Sequence, residues 1–109
     1  MRKAVRSSPR KLRAHQPAAL TRKRKLSEEN VARVPAVAGV YVLYGTQGSP
    51  AFVGRGRSLR ARLADQLITG RIPAAAFAFA PTATMAEATH LEHELIGRLL
   101  PRFNVHSAA

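Results

Sequence analysis

Four arginines, Arg55, Arg57, Arg60 and Arg62, fall within one short stretch, and a single glutamate, Glu92, sits late in the chain on an otherwise apolar stripe. An arginine comb binds anions, because each guanidinium is a planar, permanently charged fork that matches phosphate or carboxylate oxygens. Glu92 poses the sharper problem. At about 100° per helical residue, Met85, Ala88, Leu95, Ile96 and Leu99 all lie within about 60° of it, whereas Glu87 and Glu94 lie on the far face. A carboxylate buried without a partner costs roughly several kcal/mol or gives up its charge. Glu92 therefore needs an arginine, a set of hydrogen bonds or a metal ion, and periodicity leaves a structural Arg–Glu pair and a metal ligand equally open. The arginines cannot be ranked by pattern, since Arg60 lies closer to the leucine stripe of its segment than Arg62 does.

The remaining polar candidates are fewer. Tyr41 and Tyr44 are three steps apart on a strand-like run, which places their hydroxyls on opposite faces. His90 and His93 flank Glu92, but their rings project more than about 90° from the carboxylate, so both read as surface histidines. His15 and His106 lie outside the patterned segments. The chain has no cysteine, which excludes a disulfide framework and a thiolate zinc site and suits a reducing compartment.

The elements that must position these groups are legible. Ser27 caps a short helix with Glu28 and Glu29 in its first turn, stopped by Pro35. "GVYVLY" (39–44) and "AFVG" (51–54), joined by "TQGSP", read as a hairpin. Ser58 caps a helix from Leu59 to about Ile68 carrying Leu59, Leu63 and Leu67, ended by Gly70. "AAAFAFAP" (74–81) alternates Phe77 and Phe79 onto one face and reads as a third strand. Thr84 and Glu87 form a capping box for a helix to about Leu100, closed by Pro101.

Charge divides the chain of 109 residues. Its net charge is +12; residues 1–25 hold ten Lys or Arg and no acid, and the rest is nearly balanced. The expectation is a disordered basic arm over residues 1–26, including "TRKRK" (21–25), followed by one domain over 27–109. Such an arm attracts polyanions, nucleic acid first among them, and supplies affinity without sequence choice. No apolar run approaches a membrane span, and the clustered, proline-broken basic residues give no amphipathic transit face. The expected location is cytoplasmic, nucleoid-associated if the source is bacterial.

The order "GVY" (39–41), "FVG" (52–54), Arg62 ten residues after Phe52, "LEHELI" (91–96) and "PRFN" (101–104) resembles the GIY-YIG nuclease domain, in particular that of the excision-repair nuclease subunit. The resemblance covers roughly residues 37–105. It implies an α+β fold with a small three-stranded antiparallel sheet flanked by helices, and metal-dependent cleavage of phosphodiester bonds in duplex or branched DNA with one Mg²⁺ or Mn²⁺. Carried over by position, Tyr41 is the tyrosine of the first motif, Glu92 the metal ligand, Arg62 the phosphate arginine and Asn104 the asparagine that steadies the site. Arg55 stands where some relatives carry a lysine, and Gly54, Arg55, Arg57 and Arg60 are expected to bind the substrate. Two positions depart from the pattern: Phe52 replaces the tyrosine that usually opens the second motif, and Gln66 replaces a further tyrosine of some relatives. A phenyl ring cannot accept a proton. The alternative function is thus a catalytically weak or inactive scaffold that binds nucleic acid, and a protein partner for targeting is a third expectation. The oligomeric state is not legible.

Overall fold

In the computed structural model, which describes residues 20–104, the first element is one that composition argues against. Arg24–Lys25 form a two-residue strand, β1, paired antiparallel with Phe77 and Ala76. Main-chain groups make this attachment: Thr21 N donates to Phe79 O at 2.9 Å and Leu26 N to Ala75 O at 2.9 Å, while the Thr21 hydroxyl accepts from Phe79 N at 3.1 Å. The cations of residues 22–25 remain exposed and Leu20 and Leu26 supply the apolar contacts. Strand pairing of this kind needs little side-chain burial, and a Lys/Arg edge also discourages further strands from adding. Residues 20–26 thus belong to the sheet and not to a disordered arm; residues 1–19 lie outside the described residues.

The other elements follow the signals that predict them. Helix α1, Glu28–Ala32, is capped by the Ser27 hydroxyl, which accepts from Asn30 N at 3.2 Å. Strands β2 (Gly39–Tyr44) and β3 (Pro50–Gly56) form the hairpin, with Gly48 at φ 88° in its turn. Helix α2, Leu59–Thr69, is capped by Ser58 and ended by Gly70 at φ 58°, a left-handed conformation that glycine adopts without steric cost. Strand β4 is Ala76–Pro81 and helix α3 is Met85–Leu99. The Thr84 hydroxyl accepts from Glu87 N at 3.1 Å; the Glu87 carboxylate reaches back to Ala83 N at 2.9 Å, one residue earlier than a standard capping box. A 3₁₀ turn, Arg102–Asn104, follows Pro101.

The antiparallel sheet has four strands in the order β1-β4-β2-β3, not the three expected. Its fold class, α+β with helices on both faces, is as expected. Alternation along the strands makes two cores. Val40, Val42, Tyr44, Val53, Ala78 and Ala80 face α3 through Ala88, Leu91 and Leu95. On the other face Tyr41, Leu43, Phe77 and Phe79 meet Val31 of α1, Val34 just beyond it, and Leu59 and Leu63 of α2. The alanines of β4 let α3 lie close, while the phenylalanines fill the side covered by the shorter helices. Tyr41 and Tyr44 fall on opposite faces, as their spacing dictates. Among the described residues no helix is long and apolar enough to cross a membrane.

Candidate active site

The outer edge of β3 is where the two helical layers come nearest to sharing polar groups. Tyr41 stands on the α2 face of β2, directly across from Gly54 on β3. A Cβ on Gly54 would lie 2.5 Å from the Tyr41 ring carbon and hydroxyl, so only glycine leaves room for the phenol to reach the edge. Two residues on, a Cβ on Gly56 would lie 2.4 Å from Cγ of Arg62, so the second glycine admits the stem of that arginine as it comes over from α2. The sequence stretch "GRG" (54–56) is therefore a seat for one phenol and one guanidinium.

Glu92 arrives from the opposite layer. Position 92 lies within reach of the β3 edge on the α3 side, and Arg55, sharing the face of Val53 by alternation, pairs its Nη1 with Oε1 of Glu92. The Glu92 side chain is 13% exposed and that of Arg55 41%. Tyr41, Phe52, Gly54, Arg55, Gly56, Arg57, Arg62, Met85 and Glu92 line one cleft of about 420 Å³. Phe52 contributes a bare ring there, 6.2 Å from the Tyr41 ring and tilted against it. A second recess of about 430 Å³ adjoins it, sharing Phe52, Arg55 and Glu92 and adding His93 and Asn104.

Burial raises the pKa of the Tyr41 phenol above its ordinary value; the Arg62 guanidinium beside it pulls the other way through its charge and as a hydrogen-bond donor, and burial prevails. Arginine has no acceptor. The Tyr41 proton therefore remains on the phenol and is available to a group entering the cleft. Tyr44, on the other face, is also raised by burial and takes no part in the cleft.

Of the residues singled out in the sequence, Tyr41, Gly54, Arg55, Arg57, Arg62 and Glu92 are brought together. Asn104 stands behind them. Its side chain, buried in the 3₁₀ turn, closes two hydrogen bonds on the main chain of Val53: Val53 N donates to Oδ1 at 2.7 Å and Nδ2 donates to Val53 O at 3.0 Å. The amide thus acts as one more strand residue against the open edge of β3. Arg60 is placed elsewhere, because its Nε donates to the Val34 carbonyl at 2.8 Å and ties α2 to the end of α1. Its place nearer the leucine stripe is what lets it reach that carbonyl. Gln66 is also turned to structural use, bonding the main chain of Ile72 at 2.6 and 3.4 Å. His90 is exposed, 3.9 Å from Glu94.

Sequence reasoning left an Arg–Glu pair at Glu92 open but did not identify Arg55 as the partner, and it missed the steric purpose of the two glycines. Alternation along β3 puts Arg55 on the face of Val53, but the partner depends on a strand-to-helix register across 37 positions. The glycines become legible only once Tyr41 is known to lie opposite Gly54.

No family model matches the sequence. UvrABC system protein C from Rhizobium johnstonii is 37% identical over 91 residues, covering 74% of this chain and 13% of that protein. The corresponding protein from Chelativorans sp. is 39% identical over 84 residues, covering 69% of this chain and 13% of its own length. The matched part is thus about an eighth of these relatives. Among solved structures, the GIY-YIG N-terminal endonuclease domain of UvrC from Thermotoga maritima, as a tyrosine-to-phenylalanine point mutant bound to its catalytic divalent cation, superposes with a TM-score of 0.62 at 26% identity, covering 70% of this chain and 92% of that one. The magnesium-bound form of the same domain gives a TM-score of 0.60 at 23% identity over 70% and 92% of the two chains.

Proposed function

Since the chain carries a GIY-YIG domain of the UvrC type, we propose that it is a metal-dependent endonuclease domain that hydrolyses phosphodiester bonds in DNA. The observation that carries this reading is the convergence of Tyr41, Arg62 and Glu92, from β2, α2 and α3, on a single cleft.

The residues present suit one Mg²⁺ or Mn²⁺. Among the described residues no cluster of three or more His, Asp, Glu or Cys exists, so the ion would rest on Glu92 and take its other ligands from water and phosphate oxygens. A single carboxylate is an ordinary protein contribution to a magnesium site. When bound, such a cation supplies Lewis-acid polarisation of the phosphate and stabilises the leaving oxygen. The rest falls to the chain's own side chains. Arg62, seated on Gly56, presents a charged fork to the phosphoryl oxygens as negative charge builds on them. Tyr41 keeps its proton and donates it to a phosphate oxygen or orients the attacking water. Arg57, on the cleft rim, holds the strand by its backbone, and the exposed cations of residues 22–25 add sequence-independent attraction. DNA in duplex or branched form is the substrate of this reading. The relatives' name, component C of the UvrABC system, supports a protein partner for targeting.

Phe52 favours a second reading, a domain that binds nucleic acid and cuts it weakly. Its ring fills the cleft without a hydroxyl, and Tyr41, held protonated by burial, is a poor base to replace one. Three structures of the one Thermotoga maritima domain, each with a different tyrosine-to-phenylalanine point mutation, are still bound to the catalytic cation, so metal occupancy in that domain does not require any one of those hydroxyls.

The deciding experiment is incubation of the purified chain with supercoiled plasmid and branched DNA in Mg²⁺, Mn²⁺ or chelator. Nicking by the native protein, lost in chelator and in Glu92→Ala and Arg62→Ala, supports the nuclease. Nicking retained by Glu92→Ala overturns it, and binding without nicking in every form supports the weak scaffold.

A further inference from the structure

Glu92 has one ion-pair partner among the described residues, Arg55, and that guanidinium engages the carboxylate on which a divalent cation would rest. We infer that Arg55 is the exchangeable occupant of the cation position: it neutralises Glu92 while no ion is bound, and it is released to the DNA phosphate when an ion takes the carboxylate. The inference rests on the nuclease reading of the cleft.

The two arginines of the cleft differ in how they are held. Arg62 is seated over Gly56 beside the Tyr41 phenol, with no carboxylate in ion-pair contact among the described residues. Arg55 is bound by its tip to Glu92 and is 41% exposed. A glutamate side chain only 13% exposed needs positive charge close to its carboxylate, and a guanidinium or a divalent ion will satisfy it. Both together against one carboxylate repel each other. Once displaced, a guanidinium has five donors and no acceptor, and the anion that the cleft admits is a phosphate, which it can grip with two parallel hydrogen bonds. Space for this movement exists, because Arg55 lines both the cleft and the adjoining recess. Binding of the ion and of a phosphate-bearing strand must then favour each other, since a coupling free energy acts equally in both directions. Without DNA the site would bind its ion weakly.

Mn²⁺ binding to the full chain, followed by titration calorimetry or by the spin resonance of free Mn²⁺, tests this. Arg55→Gln should bind Mn²⁺ about tenfold tighter than the native protein, on the scale of ordinary coupling between sites, with Arg55→Lys in between. A short DNA duplex should tighten Mn²⁺ binding to the native protein and do so much less in Arg55→Gln. Unchanged or weaker Mn²⁺ binding in Arg55→Gln, with binding abolished in Glu92→Gln, would overturn the exchange and leave the nuclease reading standing. Native-like Mn²⁺ binding by Glu92→Gln would overturn both. If Arg55→Gln does not fold without metal, Arg55→Lys decides alone. It should bind Mn²⁺ more tightly than the native protein and gain more thermal stability from the ion; equality in both overturns the inference.

Discussion

A phenol pressed against a guanidinium inside a protein is subject to two opposed influences, and at Tyr41 burial outweighs the arginine. The folded-state pKa lies above the ordinary value near 10, so the protonated phenol contributes stability below that pH and the contribution is lost as pH rises through the raised value. Alkaline titration followed by phenolate absorbance should place Tyr41 above the ordinary tyrosine range. Arg62→Ala removes both influences that lower it, so the transition should move higher still; a downward shift would mean that the guanidinium is not beside the phenol. The same balance bears on catalysis. If the hydroxyl missing at Phe52 is what limits the rate, Phe52→Tyr should raise nicking by about 10² to 10⁴, the usual worth of general acid–base assistance, and an unchanged rate would assign proton removal elsewhere. At this scale the sequence discloses Glu92 through helical spacing alone. It cannot single out Arg62, which only the motif resemblance picks, and it cannot show Arg55 reaching Glu92, because that pairing depends on the packing of α3 against β3.

The elements show a different division. Capping residues, turn glycines and the alternation of "AFAF" are local signals, and Ser27, Ser58, Thr84 and Gly70 all stand where such signals put them. What local signals omit is how edges are closed. β1 forms through main-chain pairing by residues whose side chains stay in water, so neither hydrophobic pattern nor charge announces it. At the other edge Asn104 supplies two hydrogen bonds to Val53 from a turn that follows α3. Asn104→Ala leaves a buried N–H and a buried carbonyl unpaired, which costs about 1–3 kcal/mol for each group stranded. Chemical denaturation should register a loss of this size. Because the bonds hold β3 between Phe52 and Gly54, the seat of Tyr41 should loosen as well, with a larger fall in nicking than in DNA affinity. Asn104→Ala with native stability would show that the turn does not clamp the strand. Gly54→Ala tests the same strand from the opposite face: its methyl group displaces the Tyr41 hydroxyl and should depress cleavage while leaving the basic edge able to bind DNA.

Across the whole molecule, the four strands hold two positive regions apart. The cleft lies along β3 and the exposed Arg22, Arg24 and Lys25 lie along β1, at opposite margins of a sheet whose order is β1-β4-β2-β3. With strands about 4.8 Å apart, a duplex seated in the cleft meets the β1 margin by crossing a face of the domain, or a second arm of a branched molecule meets it directly. Either way the margin meets phosphates and reads no sequence information. Lys23 is unsuited to probe it, since its ammonium donates to the Gly48 carbonyl at 3.0 Å and lies over the Tyr44 ring, where it helps hold the hairpin turn. Arg22 and Arg24 are exposed and free of those duties. The double replacement Arg22→Ser, Arg24→Ser should therefore weaken DNA binding and reduce the slope of log affinity against log salt by about 0.9 for each phosphate no longer neutralised, as measured by fluorescence anisotropy over a salt series. Mn²⁺ affinity of the cleft should not change, because β4 and β2 separate the substituted edge from Glu92. An unaltered slope would remove the β1 margin from the DNA path and leave the cleft arginines to account for binding by the described domain. A matching loss of Mn²⁺ affinity would show that the two margins do not act independently, and the strand order would no longer explain how the charges are used.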